Sequence, residues 1–228
     1  EELREILGDL NRYLQVQKLL GIKQYPVSAT PLFSSNHSNQ FSSRQDILGQ
    51  LQKSLAGCQN CGLHLNRKNI VFGNGNAETE LVFIGEAPGE EEDLQGKPFV
   101  GAAGQLLSRI IESIGLRREE VYITNVVKCR PPSNRNPKPE EITACEPYLH
   151  QQLEIIKPKL ICALGTFAAQ TLLKTDQSIS RLRGRFHWYH NIKLMPTFHP
   201  GYLLRNSSGK KLVWQDMQLI KKELLTPQ

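Results

Sequence analysis

The segment Leu81-Val-Phe-Ile-Gly85 is an apolar, partly β-branched run that stops at a glycine. Such a run is typical of a strand buried on both faces of a sheet. The pattern returns at 121–127 (VYITNVV) and 160–165 (LICALG), and in weaker form at 193–199 (KLMPTFH). The last run is weaker because Pro196 should end the strand pairing there, since proline lacks the N–H that pairing uses. The sequence therefore predicts four buried strands.

Helical stretches lie between and after these strands, at 103–114, 139–156, 166–173 and 211–225. Strands that alternate with helices predict an α/β fold, with a parallel sheet covered on both faces. Ligands of such sheets bind beyond the carboxyl ends of the strands. We therefore expect the functional site in the loops at 85–101, 125–138, 165–166 and 198–206.

The first of these loops combines glycines at both edges with an aromatic residue and an acidic run. Glycine lets a backbone approach a ligand closely. Phe99, between Pro98 and Gly101, either stacks on a planar ligand or anchors the loop in the core. The acidic run at 90–93 is equally typical of the first turn of a helix, which favours carboxylates.

Two polar residues follow the predicted strands at the ligand-binding edge. Asn125 must satisfy its amide donors and its carbonyl, either by capping or by pairing with the edge of a base. His199 precedes Pro200, which keeps its backbone extended. A single histidine is often structural, but this one lies where a ligand is expected. Asn125 and His199 are therefore candidate ligand contacts.

Five cysteines in a chain without secretory features argue against a disulfide framework and for metal ligation. Cys58 and Cys61 form a CxxC pair, and fifteen residues separate Cys129 from Cys145. Four thiolates suit either a structural zinc ion or a [4Fe–4S] cluster, and the spacing alone does not distinguish them. Cys162 lies within the LICALG strand and is interpreted as a small buried apolar residue.

Lysine plus arginine exceed aspartate plus glutamate by 28 to 22, which gives a formal net charge of +6. A basic surface suits a polyanionic partner, because phosphate contacts release counterions. An ordinary solubilising surface is equally compatible with this charge. No apolar run approaches the length of a membrane span, so we expect a cytoplasmic protein without a membrane partner. We also expect it to be a monomer.

The first 45 residues differ in character from the rest of the chain. Leucine and isoleucine recur at three- to five-residue steps within 1–22, which predicts an amphipathic helix. Residues 23–45 are rich in Ser, Asn, Gln and Pro and predict a flexible linker before a main domain at 46–228. We interpret the helix either as a docking element for an unknown protein or as a helix packed on the main domain.

Six ordered blocks resemble the family 4 uracil-DNA glycosylases, the iron–sulfur branch of the uracil-DNA glycosylase superfamily. The blocks are CxxC at 58–61, GEAPGEEED at 85–93, GKPFVGAAGQLL at 96–107, TNVVKCRPP at 124–132, ALGTFAAQ at 163–170 and HPGYLLR at 199–205. The resemblance implies an enzyme that hydrolyses the N-glycosidic bond of deoxyuridine in DNA. It also implies an α/β/α sandwich with a central four-stranded parallel sheet. The implied cofactor is a [4Fe–4S] cluster held by Cys58, Cys61, Cys129 and Cys145.

By the same resemblance, a flipped-out uracil contacts the backbone of the first loop, an aromatic ring and two polar side chains. The residues so assigned are Gly85, Glu86, Ala87, Phe99, Asn125 and His199. Asn125 would accept from N3–H and donate to O4, a pattern that cytosine reverses. His199 would face O2, where negative charge builds up as the glycosidic bond breaks. Glu86 and Glu92 are the candidates for positioning the attacking water.

The resemblance also suggests which residues contact DNA. The cluster would hold the loops that carry Arg130 and Arg135 beside the phosphates. Leu203 or Leu204 would fill the space that the flipped base leaves, with Arg205 on a phosphate. Alternatively, the two leucines begin the core face of the last helix.

Two functions of other classes compete with this interpretation. A non-catalytic DNA- or RNA-binding module would keep the fold and bind without releasing a base. A nucleotide or phosphate-ester hydrolase would use the GEAPG loop as an anion cradle. The second is disfavoured because neither a Walker-type lysine nor a metal-binding carboxylate pair accompanies that loop.

Overall fold

The computed structural model describes residues 43–226 of the chain. The predicted amphipathic helix at 1–22, and the predicted linker up to residue 42, lie outside the described residues. Helix α1 (Arg44–Ser54) is the first described element. Ser43 caps it in a reciprocal box, because its hydroxyl accepts from the Asp46 N–H and the Asp46 carboxylate accepts from the Ser43 N–H. The last two residues assigned to the linker therefore belong to this helix.

A six-stranded sheet lies at the centre of the described residues. Its strands are β1 (Asn74–Gly75), β2 (Leu81–Gly85), β3 (Tyr122–Asn125), β4 (Leu160–Leu164), β5 (His187–Tyr189) and β6 (Ile192–Thr197), in the spatial order β1-β3-β2-β4-β6-β5. The central strands β3, β2, β4 and β6 are parallel, as predicted. The predicted total of four strands is wrong, because β1 and β5 add an antiparallel strand at each edge. These two strands are too short to show the alternation by which a strand is identified.

Helices cover both faces of the sheet, and each face has its own buried apolar cluster. In β2, Val82 and Ile84 pack into one cluster while Leu81 and Phe83 pack into the other, so the strand is buried on both sides. The predicted α/β/α layering is confirmed. The remaining helices are α2 (Glu90–Gln95), α3 (Ala102–Glu112), α4 (Pro139–Ile156), α5 (Thr166–Leu173), α6 (Ile179–Leu182), α7 (Pro200–Arg205) and α8 (Lys210–Leu224).

Among residues 43–226, no helix combines the length and hydropathy that a membrane span requires.

Pro196 does not end the pairing of β6, contrary to the prediction from its missing N–H. The strand stays paired with β4 as far as Thr197. The carbonyl of Thr197 accepts from the N–H of Gly165 on the β4 side, so the backbone of the preceding proline points the other way. On that side β5 pairs only as far as Leu194. The missing N–H therefore costs no ladder hydrogen bond.

The four parallel strands end at one edge of the sheet, and the pairing of β2 with β3 continues past the strand ends. The N–H groups of Val126 and Val127 donate to the carbonyls of Gly85 and Glu86. The loops that follow β2 and β3 therefore leave the sheet together and begin at a fixed distance from each other. This edge is where the sequence predicted the functional site.

Candidate active site

A cavity of about 290 Å³ opens at the carboxyl edge of the parallel strands. Residues from all of the predicted loops except 165–166 line it, together with α3. Its walls are Glu86, Ala87, Pro88, Gly89, Glu92, Phe99, Ala103, Asn125, Pro131, Asn134, Arg135, Asn136 and His199. The structure therefore brings Phe99, Asn125 and His199 to the same cavity, together with both candidate carboxylates.

Phe99 is buried in a left-handed backbone conformation, with φ of 52°. A residue with a Cβ adopts that region at a cost of about 1 kcal/mol or more, so the neighbouring chain has to hold it. Glu92 does so from one side: its carboxylate accepts from the N–H groups of Val100 (2.8 Å) and Gly101 (3.1 Å). Arg118 does so from the other side by donating to the carbonyl of Pro98 (2.7 Å). The ring is thus fixed before any ligand arrives.

Asn125 ends β3 and is only 1% exposed. Its side-chain oxygen is buried and has no hydrogen-bond partner among the described residues. An unpaired buried acceptor costs about 1–3 kcal/mol, which a ligand donor would recover. Gly85 lies beside it in register on β2, and a Cβ there would come within 2.4 Å of that oxygen and 2.7 Å of the Phe99 ring. Only glycine therefore leaves room for both side chains.

His199 follows β6 and caps α7, where its Nδ1 accepts from the N–H of Gly201 (3.0 Å). A neutral ring that accepts at Nδ1 carries its hydrogen on Nε2. Burial lowers the pKa of His199 to about 4, so the ring is neutral at pH 7. Its centroid is 5.6 Å from that of Phe99. Gly165 leaves room for the side chain of His199: its φ is +92°, and a Cβ there would lie 2.9 Å from the Cβ of His199.

The two candidate carboxylates differ in their surroundings. Both oxygens of Glu92 accept from backbone N–H groups, Oε1 from Val100 and Gly101 and Oε2 from Gly89. Glu86 lines the same cavity, and its carboxylate forms no hydrogen bond within residues 43–226. Burial raises the pKa of Glu86 to about 7. Glu86 is therefore the carboxylate free to act on a bound water, while Glu92 holds the loop.

Residues 131–136 form a wall of the cavity, within the loop at 125–138 where the sequence predicted the site. Of these residues, the sequence analysis assigned a role only to Arg135. Asn134 is held in a left-handed conformation (φ of 54°), and its side-chain oxygen accepts from Nε of Arg130 (2.8 Å). Arg135 itself binds Glu141 through two hydrogen bonds of 2.8 and 2.6 Å. In the sequence, the prolines and asparagines of RPPSNRNP indicate a loop with a defined conformation.

The two leucines of α7 lie in different environments. Leu203 is 1% exposed and packs in a core cluster, so its predicted role as a wedge in DNA is wrong. Leu204 is 51% exposed, and Arg205 beside it is exposed as well. A helix presents successive residues to different sides, which is why only one of two adjacent leucines can leave the core.

Four of the five cysteines line one small cavity of about 20 Å³, namely Cys58, Cys61, Cys129 and Cys145. Two donors reach their sulfur atoms: Nη1 of Arg67 to Cys129, and the backbone N–H of Lys128 to Cys145, each at 3.3 Å. In the described part of the chain, no three His, Cys, Asp or Glu side chains are close enough to ligate one metal ion. Cys162 is fully buried in β4, as predicted.

Comparisons with known proteins agree with the resemblance that the sequence showed. Residues 72–218 match the family model described as the uracil DNA glycosylase superfamily. A type-4 uracil-DNA glycosylase of Thermotoga maritima is 48% identical over 188 residues, which cover 79% of this chain and 98% of that protein. The type-4 uracil-DNA glycosylase of Saccharolobus solfataricus is 46% identical over 188 residues, covering 78% and 87%. That of Archaeoglobus fulgidus is 48% identical over 167 residues, covering 70% and 84%.

The imidazole of His199 is expected to stay neutral, with its hydrogen on Nε2, from pH 8 down to about pH 5. Burial lowers its pKa to about 4, and the Gly201 N–H occupies Nδ1. Nitrogen-15 NMR of the histidine rings, recorded across this pH range, measures both properties. A His199 ring that titrates near its ordinary value, or one protonated on Nδ1, would contradict the geometry.

Proposed function

The chain belongs to the uracil-DNA glycosylase superfamily, and we propose that it releases uracil from DNA by hydrolysing the N-glycosidic bond of deoxyuridine. One observation carries the proposal: an aromatic ring, an unpaired buried amide oxygen and a neutral imidazole line a single cavity at the sheet edge. The relatives named type-4 uracil-DNA glycosylases support the same activity.

Recognition of uracil follows from the groups that the cavity offers. The base, flipped out of the DNA stack, lies against the Phe99 ring. The side-chain oxygen of Asn125 accepts from N3–H, and its amide group donates to O4. Cytosine presents an acceptor at N3 and a donor at C4, so both contacts would become repulsive or unpaired at a cost of a few kcal/mol.

The leaving group is stabilised by His199. When the bond between C1′ and N1 breaks, its electron pair leaves with the uracil, and negative charge develops on O2. A neutral imidazole with its hydrogen on Nε2 donates to that oxygen without first having to gain a proton. A fixed donor of this kind contributes about 3 kcal/mol in comparable sites.

Glu86 positions the water that completes the reaction. The water oxygen bonds to C1′ of the oxocarbenium-like sugar, and the Glu86 carboxylate accepts the proton that is released. Glu92, the other candidate, acts as a positioning residue, because its oxygens hold the backbone around Phe99. The departing uracil anion takes up a proton from the solvent, and Glu86 returns to the solvent the proton that it accepted. The products are uracil and an abasic site.

The proposal also assigns contacts to DNA. Leu204, which is exposed on α7, would fill the space left by the flipped base, and Arg205 would contact a phosphate. Arg130 and Arg135 have partners within the protein: Arg130 forms an ion pair with Glu90 at 3.6 Å, and Arg135 forms one with Glu141 at 2.6 Å. Each guanidinium has five N–H donors, so both arginines keep donors for phosphate oxygens.

A [4Fe–4S] cluster fits the four cysteines that share one cavity. Such a cluster binds each thiolate through a different iron, so the four sulfur atoms need not meet around one point. The N–H donors from Arg67 and Lys128 suit anionic sulfur ligands. When bound, the cluster supplies a covalent link between the CxxC segment and the segment that follows β3. We propose that its role is to hold these segments together.

Other expectations from the sequence stay predictions: a cytoplasmic monomer, and an N-terminal helix that docks a partner. The non-catalytic binding module is separated from the enzyme by an oligonucleotide with a single uracil. Under the enzyme hypothesis, alkali cleaves the strand after incubation with the protein, whereas a binding module leaves it intact.

Replacing Asn125 by alanine is expected to lower uracil release by at least about 100-fold, because the base loses the contacts that read its edge. Single-turnover cleavage of a uracil oligonucleotide measures the effect. Asn66→Ala, at an exposed position, is the matched control and should behave as the wild type. Unchanged release by a folded Asn125→Ala protein would overturn the assignment of the pocket.

The rate of uracil release should rise with pH up to about 7, because the Glu86 carboxyl, whose pKa burial raises to about 7, accepts a proton only when ionised. Well below pH 7 we expect about a tenfold rise per pH unit, and a plateau above about pH 8. Single-turnover rates between pH 5 and 9 test this. Glu86→Gln should be slower and lack the rise, while the exposed Glu112→Gln control keeps it. A profile shared by wild type and Glu86→Gln would exclude Glu86.

Protein purified without oxygen is expected to be brown and to absorb near about 400 nm, with about four irons per chain. Cys145→Ala should lose this absorbance, because it removes one ligand. Cys162→Ala should keep it, since Cys162 lies in β4 outside the shared cavity. Colourless, zinc-containing protein that releases uracil would contradict the cluster.

A further inference from the structure

The buried side chain of Lys128 has no role in the chemistry described so far. Lys128 is 1% exposed, although a buried ammonium is costly unless its donors are all used. Its Nζ donates three hydrogen bonds: to Oγ1 of Thr124 (2.7 Å), to the carbonyl of Asn125 (2.6 Å) and to Oε1 of Gln152 (2.6 Å). An ammonium has three N–H donors, so this set satisfies it completely.

The second of these contacts reaches the residue that reads the base. The pairing of β3 with β1 stops at Ile123, two residues before Asn125. Beyond that point Lys128 donates to the Asn125 carbonyl, which fixes the main chain behind the amide side chain. The Asn125 side chain has little room to move, because its amide oxygen and the Phe99 ring fill the space beside Gly85. A shift of the Asn125 backbone would therefore move the amide away from the polar edge of the base.

The main chain of Lys128 is anchored as well. Its N–H donates to Sγ of Cys145 (3.3 Å), and its carbonyl accepts from the N–H of Val71 (2.7 Å). The next residue, Cys129, is one of the four cysteines in the shared cavity. Lys128 thus contacts the cysteine site through its backbone and Asn125, the base-reading residue, through its ammonium.

We infer that Lys128 is a positioning residue of the uracil site: its buried ammonium fixes the position of Asn125. It thereby connects Asn125 to the neighbouring segment that carries Cys129. The inference rests on the proposed function and goes beyond it, since Lys128 touches neither base nor water. A purely structural lysine would affect folding alone. A positioning lysine also determines how tightly the site binds uracil.

The test compares two core substitutions in the full-length protein. Lys128→Met removes the ammonium. Gln152→Met removes one of its acceptors but leaves the hydrogen bond to Asn125 in place. Lys159→Met is the control, at a half-buried lysine that donates to carbonyls near the end of α8. For each protein we would measure the thermal midpoint, the absorbance near about 400 nm, inhibition by free uracil and the single-turnover rate.

Both core variants are expected to have lower thermal midpoints and to keep the absorbance. Lys128→Met should bind free uracil at least about tenfold more weakly and release uracil about 10–100-fold more slowly, because a displaced amide misaligns the base. Gln152→Met and Lys159→Met should stay within about threefold of the wild type. If folded Lys128→Met bound uracil as tightly as Gln152→Met, the inference would be overturned.

Lys128→Arg covers the case in which the methionine variant does not fold. It keeps the charge, but its planar guanidinium cannot take the tetrahedral place among the three acceptors. Weaker uracil inhibition in a folded, coloured Lys128→Arg protein supports the inference, and wild-type inhibition overturns it. A wild-type protein that releases no uracil would defeat the proposed function at the first step, before any variant is compared.

Discussion

The site depends on the pairing of Gly85 with Asn125 across two parallel strands. Parallel register places these residues side by side at the edge where the loops begin. Because Gly85 has no side chain, the amide oxygen of Asn125 and the ring of Phe99 occupy the space beside it. Backbone hydrogen bonds extend the pairing into both loops. A fold whose strands fix such a pair can hold a planar ligand with little rearrangement.

Several locally unfavourable features meet at this edge. Phe99 has a left-handed backbone, Asn125 keeps an unpaired buried acceptor, and burial favours the neutral forms of Glu86 and His199. Such features persist where the surrounding structure holds them, and they concentrate at functional sites. Here the restraint comes from groups outside the reaction, with Glu92 holding the aromatic loop. The binding of a base would relieve part of this cost.

Much of the fold and the centre of the site could be predicted from the sequence, because buried parallel strands are nearly uniform apolar runs and their carboxyl ends mark the ligand edge. The edge strands, two and three residues long, have no detectable period. The sequence also could not predict which side chains are buried: Leu203 and Leu204 are adjacent and identical, yet only Leu203 is buried. The restraining roles of Glu92 and Lys128 depend on hydrogen bonds across loops, which no spacing reveals.

A crystal structure of the protein with bound uracil tests the central claim most directly. The account predicts uracil in the cavity, its ring against Phe99, N3 within hydrogen-bond distance of the Asn125 side-chain oxygen and O2 facing Nε2 of His199. Uracil bound elsewhere, or in this cavity with its polar edge turned away from Asn125 and His199, would contradict it.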